Sequence, residues 1–347
     1  MKLTFLRELT LYKILIRFIF YSLFNFFWQY IINFEAKFLY FYWNIKKKNN
    51  IFFELNNNDT ILIKDNQDFK NISKDISNNL KDKVENVKKK LLSEEFKKEH
   101  IERLGKNHVD VTLPYRISVW EHLDKSVQKQ IIDFASSDKM ISTAARHMKI
   151  FPILTRIQVY LNTPRENAEM RGAMYWHKDT FGFKNLDFFM NVSDVDDESG
   201  PFYFLNKKIQ GSVFMHFKKM RPFDLKGERG KVDLEEFSKY FPDSLVEKVV
   251  GESGTAIFLD SFSTFHRGGF CKSKNRIVLR ICYQSHDAKY ESQVTNLKEF
   301  KYNTDLTFEN TKNIFYRYFY FKEKSAIIKK FSSIMLRFFW KIRYYIK

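Results

Sequence analysis

Two histidines and one aspartate in the middle of the chain have the residue types and spacing of metal ligands. His177 and Asp179 lie two residues apart, and His266 follows far downstream. On an extended strand, residues i and i+2 leave the same face, so one ion can bind both His177 and Asp179. Two imidazoles and one carboxylate are the ligand set of a non-haem Fe(II) site that keeps open positions for other ligands. The sequence therefore predicts a metal centre built from these residues.

His266 is the best candidate for the third ligand because of its surroundings. It follows a predicted strand at 255–259 and precedes Gly268 and Gly269, which permit a tight turn or the close approach of a bound molecule. Asp260, which follows the same strand, is predicted to be either a structural acid or a support for His266, and not a ligand itself.

Two arginines on the next predicted strand indicate a site for a carboxylate. Arg276 and Arg280 flank Val278, so all three residues share one face. A guanidinium can pair with a carboxylate through two parallel hydrogen bonds. An arginine on this strand would therefore hold the far end of a chelating co-substrate. Gln158 alternates with Tyr160 on a strand ahead of the site and is a further candidate for contact with the co-substrate, although core packing would explain its position equally well.

Strand-like runs dominate the second half of the chain. They lie at residues 153–161, 186–192, 202–205, 255–259 and 277–283. Short strands separated by clusters of Gly, Pro and Asp favour an antiparallel β core that closes as a barrel or jelly roll. We therefore predict a mainly β fold with flanking helices (α+β) and a catalytic core over 151–290. Within it, residues 206–250 interrupt the strand pattern and are predicted to form a lid or insert over the mouth of the barrel.

Residues 51–150 are predicted to pack on this core as a small hairpin followed by helices. Apolar runs on either side of an Asn-Asn-Asn-Asp turn predict the hairpin over 51–64. From Phe69 to Leu91, apolar residues recur every three or four positions, which predicts one long amphipathic helix. Shorter helical patterns follow around 125–147.

The positive charge of the chain is concentrated at its ends. The first 50 residues carry eight lysines and arginines against two glutamates, and residues 311–347 carry ten against one, so the ends hold +15 of the net charge of +18. Because the body is nearly balanced, a nucleic-acid partner is disfavoured. The two cysteines fit no metal spacing, and their small number suits a reducing compartment.

Both ends combine basic residues with aromatic ones. Residues 1–50 contain an uncharged, aromatic run at 18–34 with one polar stripe at helical spacing, and residues 291–347 read as a polar linker and a basic amphipathic helix. This composition is typical of helices that lie on an anionic membrane surface, and it predicts a peripheral (monotopic) protein on the cytoplasmic face. The alternative is that both segments pack on the body or mediate oligomerisation.

Five features in 156–285 together resemble one enzyme family. They are the His-x-Asp motif after Trp176, the Asp-Val-Asp-Asp-Glu-Ser-Gly-Pro turn, the Gly-x-x-Gly-Thr-Ala-x-Phe-x-Asp run, His266 with its Gly-Gly pair, and the arginine-bearing strand that follows. This combination resembles the phytanoyl-CoA dioxygenase family of Fe(II)- and 2-oxoglutarate-dependent oxygenases.

The resemblance implies a fold, a reaction and roles for particular residues. The implied fold is a double-stranded β-helix, and the implied cofactors are Fe(II), 2-oxoglutarate as co-substrate, and O₂. His177, Asp179 and His266 match the iron ligands, and Arg276 matches the arginine that binds the distal carboxylate of 2-oxoglutarate. Arg280 is the alternative for that role, because the loop after His266 is one residue short against the usual pattern.

Departures from the family pattern bear on the substrate. Where many relatives have Gly-Ser-His after the Gly-Pro strand, this chain has Leu-Asn-Lys-Lys at 205–208, so its substrate-facing rim is its own. Halogenating relatives lack the metal carboxylate, so the presence of Asp179 favours hydroxylation. The basic ends favour a lipid, acyl or lipid-linked substrate. The alternatives are a soluble small-molecule hydroxylase and a jelly-roll binding module without catalysis.

Overall fold

The computed structural model describes residues 52–93, 116–164, 172–179, 184–209 and 231–285, with isolated residues at 36, 37, 40, 41, 44, 95, 98 and 170. The predicted basic helix near the C-terminus and all but five residues of 1–50 therefore lie outside the described residues, so the membrane-surface prediction stays a prediction. Across the described ranges, no helix is long and apolar enough to cross a bilayer. Ala36 is fully buried, and its carbonyl accepts a hydrogen bond from the N–H of Phe151 at 3.0 Å, so the N-terminal segment contacts the body at this point.

Helices dominate the first part of the described chain and strands the second. The strands are β1 (Thr60–Ile63), β2 (Arg116–Ser118), β3 (Ile153–Asn162), β4 (Asn185–Asn191), β5 (Phe202–Leu205), β6 (Val246–Val249), β7 (Ala256–Leu259), β8 (His266–Arg267) and β9 (Arg276–Gln284). The helices are α1 (Gln67–Leu80), α2 (Val84–Leu92), α3 (Lys125–Ala135), α4 (Asp138–Met148) and the short α5 (Leu234–Ser238). The five predicted strands are all present, each bound falling within one residue of its prediction.

The strands form two antiparallel sheets that wind as a double-stranded β-helix. The larger sheet has the order β1-β7-β4-β9-β3-β2 and the smaller one the order β6-β5-β8. From β3 onwards the chain alternates between the two sheets. The larger sheet contains β3, β4, β7 and β9. The smaller sheet contains the segment at His177 between β3 and β4, the strands β5 and β6 between β4 and β7, and β8 between β7 and β9. This alternation confirms the predicted jelly roll.

The two faces of the larger sheet have different neighbours. One face is apolar and packs against α1, α3 and α4 in the main core. Its strand β9 contributes Ile277, Leu279, Ile281 and Tyr283, and the helices contribute Phe69, Ile76, Ile131 and Ile141. The opposite face points toward the smaller sheet, where Ile257 and Leu259 pack against Phe204 and Val249. Residues of β9 in the other phase of the alternation, including Arg276 and Arg280, therefore lie between the sheets.

The long helix predicted from Phe69 to Leu91 is wrong in one respect, because the structure divides it at a turn. Residues 81–83 separate α1 from α2. Lys83 is held outside the helix by its Nζ, which donates to the carbonyl of His122 at 2.9 Å and to Asp124 at 2.8 Å. Asparagines precede the turn at 78 and 79, and their low helix propensity favours a break there. The predicted helices around 125–147 are present as α3 and α4.

The predicted hairpin over 51–64 is half wrong. Its turn forms, since the N–H of Asn56 donates to the carbonyl of Thr60 at 2.9 Å, and its second arm is β1. The first arm is not a strand, and β1 pairs instead with β7. The reason is tertiary packing: the Phe53 ring lies 5.5 Å from that of Phe69 and 5.6 Å from that of Phe258, so it belongs to the main core.

The predicted lid over 206–250 is also partly wrong. Its last part is β6, which pairs along its length with β5 and is an integral strand of the smaller sheet. Ahead of β6, α5 covers the outer face of that sheet, where the Phe237 ring stacks on Trp176 at 4.1 Å. Residues 210–230 lie outside the described residues, so the lid prediction is untested for them.

Gly200, in the turn before β5, is the glycine whose replacement we expect to cost most. Its φ is +66°, and a Cβ there would overlap the backbone carbonyl of Phe270. Gly200→Ala is therefore expected to lower the free energy of unfolding by more than about 2 kcal/mol, from the left-handed backbone and the overlap together. Gly268→Ala is the matched control, because its nearest contact would be an ordinary 3.7 Å and its φ is not positive. Urea unfolding checks the pair, and equal stabilities would contradict the expectation.

Candidate metal centre

His177 and His266 lie directly opposite each other on neighbouring strand segments of the smaller sheet. The backbone N–H of each donates to the carbonyl of the other, at 3.1 and 3.0 Å. Two residues further on, the N–H of Asp179 donates to the carbonyl of Ser261 at 2.9 Å. Opposed residues of an antiparallel pair share a face, and so do residues two apart on a strand. The sheet therefore aims all three predicted ligands to the same side.

The donor atoms of these three side chains converge. The Nε2 atom of His177 lies 3.8 Å from Oδ1 of Asp179, and the Nε2 atom of His266 lies 3.9 Å from Oδ2. One donor atom from each residue falls within 4.8 Å of the other two, and all three residues are buried. This spacing allows one ion to contact all three donors.

Hydrogen bonds on the far side of each ring fix its tautomer. Nδ1 of His177 donates to the carbonyl of Tyr175 at 2.8 Å, and Nδ1 of His266 donates to the carbonyl of Thr264 at 3.1 Å. The proton therefore lies on Nδ1, and the lone pair of Nε2 points toward Asp179. Burial first, and then the proximity of His266 and Lys231, lower the pKa of His177 well below its usual value. Burial likewise lowers the pKa of His266, so both imidazoles are neutral at neutral pH, as metal binding requires.

Arg280 joins the candidate centre to a second buried carboxylate. Its Nη2 donates to Asp179 at 2.6 Å and to Asp187 at 3.0 Å, and its Nε donates to Asp187 at 3.2 Å. Burial would raise the pKa of Asp179, but Arg280 first, and then His266 and Lys231, together outweigh burial, and the pKa of the carboxyl is lowered. Burial works against the charge of Arg280 too, yet the Asp187 carboxylate raises its pKa well above the ordinary value. The centre thus holds an ionised carboxylate between two neutral imidazoles.

Asp187 is a residue of the centre that the sequence reasoning missed. It is fully buried in β4 and accepts a hydrogen bond from Ser261 Oγ at 2.5 Å in addition to those from Arg280. Its signal in the sequence was a charged residue in an otherwise uncharged strand, in the opposite phase to Leu186 and Phe188. Nothing local revealed its partner, because the contact with Arg280 depends on the pairing of β4 with β9.

The other predicted site residues lie on the same inner face of the larger sheet. Arg276 is buried at the start of β9, where it pairs with Asn162 of β3 and its guanidinium donates to the carbonyl of Gly200. Gln158 lies opposite Arg280, and its side-chain oxygen accepts a hydrogen bond from the hydroxyl of Tyr160. The inner face of β3 and β9 is therefore strongly polar beside the metal ligands, which is unusual for a β core and typical of a ligand site.

Of the two roles predicted for Asp260, the structure shows the structural one and not the support of His266. Its carboxylate is engaged elsewhere, because it lies 3.1 Å from Nε2 of His147 and accepts from the N–H of Phe262 at 3.0 Å. It closes the turn after β7, while the support of His266 comes from the carbonyl of Thr264.

Comparison with known proteins adds a set of distant structural likenesses. No protein-family model matches the chain, and neither does any curated protein. The chain is similar to the solved structure of AviO1 from Streptomyces viridochromogenes Tue57, with 17% identity, coverage of 51% of this chain and 69% of that one, and a TM-score of 0.33. It is similar to the non-heme alpha ketoglutarate dependent epimerase SnoN from nogalamycin biosynthesis, with 16% identity, coverage of 49% and 62%, and a TM-score of 0.32.

A third similar structure is that of EctD from S. alaskensis with 2-oxoglutarate and 5-hydroxyectoine. Its identity is 15%, it covers 66% of this chain and 72% of that one, and its TM-score is 0.39. With TM-scores this low, we draw no conclusion about this chain from these likenesses. The candidate metal centre is defined by the chain's own geometry.

Proposed function

We propose that this chain is an Fe(II)- and 2-oxoglutarate-dependent dioxygenase that hydroxylates its substrate with O₂. The observation that carries the proposal is the convergence of His177, Asp179 and His266 inside a double-stranded β-helix. Two imidazoles and one carboxylate on one face suit Fe(II) and leave positions for a chelating co-substrate and O₂. The resemblance of the motifs around these residues to the phytanoyl-CoA dioxygenase family supports the same reading.

The residues present fit the metal that the proposal requires. Both imidazoles are neutral and have their Nε2 atoms aimed inward, and Asp179 is ionised. The Arg280 guanidinium donates a hydrogen bond to Oδ2 of Asp179, as supporting residues do around metal ligands. When bound, iron would supply the oxidative chemistry that joins 2-oxoglutarate, O₂ and substrate. The protein's part is to orient the ligands and bury the centre.

Arg276, rather than Arg280, is the arginine we propose for the distal carboxylate of 2-oxoglutarate. Arg280 already contacts two carboxylates, those of Asp179 and Asp187, and occupying it with a third would release one of them. Arg276 contacts a backbone carbonyl, that of Gly200, which a carboxylate can displace at lower cost. Gly268 lies beside it and leaves room, since a Cβ there would be 3.9 Å from the Arg276 guanidinium.

Arg276→Met is expected to weaken 2-oxoglutarate binding while leaving Fe(II) binding unchanged. A hydrogen bond to a charged group contributes roughly 1.5–3 kcal/mol, which corresponds to a loss of about 10- to 150-fold in affinity. Calorimetric titration of 2-oxoglutarate into the Fe(II)-loaded protein under anaerobic conditions measures the effect. Arg276→Lys keeps the positive charge but cannot form two parallel hydrogen bonds to a carboxylate. Its affinity for 2-oxoglutarate should therefore lie between those of the parent protein and of Arg276→Met. If Arg276→Met binds 2-oxoglutarate with the affinity of the parent protein, the assignment of Arg276 is wrong.

Catalysis separates the proposed enzyme from a jelly-roll binding module. A dioxygenase releases succinate from 2-oxoglutarate only when Fe(II) and O₂ are both present, whereas a binding module releases none. Succinate formation by the purified protein, with and without Fe(II), tests this. Failure to form succinate in the presence of a broad extract of candidate substrates, despite bound Fe(II) and 2-oxoglutarate, would favour the binding module.

For the substrate, we propose a lipid, acyl or lipid-linked compound at an anionic membrane surface. The support is the composition of the two ends, which hold most of the net charge among aromatic residues. Removal of residues 1–50 and 325–347 should abolish flotation of the protein with anionic liposomes. A truncated protein that still floats would contradict anchoring by the ends. A full chain that does not float would, together with the burial of Ala36, favour a soluble hydroxylase whose ends pack on the body.

A further inference from the structure

A cavity of about 740 Å³ lies on the reverse side of the segment that carries the metal ligands. Lys178, between His177 and Asp179, lines this cavity, whereas the three candidate ligands do not. The side chain of Lys178 leaves the opposite face of the strand from its two neighbours, so a single strand separates the cavity from the metal centre. The volume lies within the range of roughly 300–1,000 Å³ that small-molecule sites occupy.

The cavity is rich in cationic side chains. The basic residues that line it are Arg146, Lys149, Lys178, Lys184 and Lys208, and the acidic ones are Glu54, Asp59 and Asp260. Two of the three acids are already engaged, since Asp59 pairs with Lys208 and Asp260 with His147. The third, Glu54, is exposed. The cavity therefore has an excess of positive charge that its own carboxylates do not balance.

Two of these lysines are held in the wall rather than extended into solvent. Lys178 is only 8% exposed, and its Nζ donates to the carbonyl of Ile209 at 2.7 Å. Nζ of Lys184 donates to the carbonyl of Met148, and burial, then repulsion by Lys37 and Lys149, lowers the pKa of Lys184. An ammonium group has three N–H donors, so each lysine can donate a hydrogen bond to an anion and still donate to the backbone carbonyl that it already contacts. An anion beside Lys184 would stabilise its charged form, which partial burial and the charges of Lys37 and Lys149 disfavour.

Aromatic side chains form the other part of the wall. Phe52, Phe53 and Phe262 line the cavity, and the Arg146 guanidinium stacks on the Phe52 ring at 4.3 Å. A purely inorganic anion would leave these surfaces unused, whereas a ligand that combines an anionic group with an apolar or planar part would contact both kinds of wall.

We propose that this cavity binds an organic phosphate, a phosphate ester whose charged group contacts the lysines and whose apolar part lies against the phenylalanines. Lysine ammonium groups act as point charges and suit a doubly charged phosphate better than a single carboxylate. The cavity is a second site, separate from the proposed reaction centre. Its occupancy does not depend on bound iron, so it can be tested in the metal-free protein.

Calorimetric titration of the metal-free full chain with phenyl phosphate tests the proposal, with inorganic phosphate and benzoate as comparison ligands. Phenyl phosphate is expected to bind at least tenfold more tightly than either. The double variant Arg146→Gln/Lys149→Asn should weaken phenyl phosphate binding at least tenfold. Asparagine is chosen at 149 because it tolerates the left-handed φ of 54°. The matched control is Lys125→Gln/Lys129→Gln on α3, which removes the same charge away from the cavity and should bind within twofold of the parent.

Several outcomes would overturn the proposal. If benzoate binds as tightly as phenyl phosphate, the cavity does not select a phosphate group. If the cavity and control variants lose phenyl phosphate affinity equally, the effect of charge is non-specific. Lys184→Met is a second cavity variant in case the double variant does not fold, and unchanged phenyl phosphate affinity there would also contradict the proposal.

A phospholipid head group offers the same chemistry as a soluble phosphate ester, so vesicles distinguish the two sources. Phosphatidylcholine vesicles with and without phosphatidate are compared for sedimentation of the parent, cavity and control variants. Loss of phosphatidate-dependent sedimentation in the cavity variant alone would identify a lipid head group. Unchanged sedimentation, with phenyl phosphate binding lost, would identify a soluble ester. If neither measurement separates the cavity variant from the control, the site is not a phosphate site.

Discussion

His177→Ala and His266→Ala are each expected to weaken Fe(II) binding by more than about 100-fold. Loss of a residue that merely supports a ligand typically costs 10- to 100-fold in metal affinity, and loss of a ligand should cost more. Either substitution removes an Nε2 atom that lies within 4 Å of Asp179, leaving two donors for the ion. Succinate release should fall to the level of the iron-free protein. Anaerobic Fe(II) titration measures the first effect and a coupled succinate assay the second.

His122→Ala is the matched control for these two variants. His122 is an exposed histidine at the end of a short 3₁₀ turn, Trp120–His122, and it is not among the three converging donors. Its replacement should leave Fe(II) affinity and succinate release unchanged. Parent-like Fe(II) affinity in His177→Ala or His266→Ala would show that the ion, if bound, lies elsewhere.

Arg280→Met is expected to lower the free energy of unfolding by about 3–5 kcal/mol, because it strips the partner from two buried carboxylates. Asp187 is fully buried and would retain the Ser261 hydroxyl as its nearest strong donor, while Asp179 would lose its 2.6 Å contact. Lys129→Met is the control. It breaks an ion pair with Asp133 that is partly exposed, and such pairs contribute roughly 0–1 kcal/mol. Urea unfolding of the metal-free protein measures both.

The double variant Asp187→Leu/Arg280→Met separates a broken ion pair from a general loss of packing. Replacing a whole buried pair with apolar residues is often nearly neutral, so the double variant should be more stable than Arg280→Met alone. A double variant that is less stable than Arg280→Met would show that packing, rather than the unpaired Asp187, dominates. Because Asp179 keeps no partner in the double variant, added Fe(II) should stabilise it.

The sequence revealed the strands and the ligands for the same reason. Alternation along a strand is local, so the phase that places Ile277 and Leu279 in the core also places Arg276 and Arg280 between the sheets. His177 and Asp179 are likewise related by local spacing. His266 is distant in the sequence from these two residues, and it was recognised from the strand and the glycine pair beside it and then from the family resemblance; its pairing with His177 is seen only in the structure.

The features that escaped prediction depend on contacts between distant segments. Asp187 meets Arg280 because β4 pairs with β9, and no local pattern states that register. The hairpin over 51–64 was predicted from its turn, yet its second arm, β1, pairs with β7 and not with the first arm. The long helix was predicted from its apolar period, yet a turn at 81–83 divides it, where Lys83 contacts the distant Asp124. The cavity lined by Lys178 gathers residues from several separate segments, so composition alone could not reveal it.

Anaerobic titration of Fe(II) into the full chain, followed by 2-oxoglutarate, tests the metal centre most directly. Chelation of Fe(II) by 2-oxoglutarate in the site should produce a visible charge-transfer absorption that saturates at one equivalent of each. The same titration of Asp179→Ala, which removes the carboxylate between the two imidazoles, should produce no such absorption at matched concentrations. Absence of the absorption in the parent protein, or equal absorption in Asp179→Ala, would contradict the assignment of these three residues as the iron site.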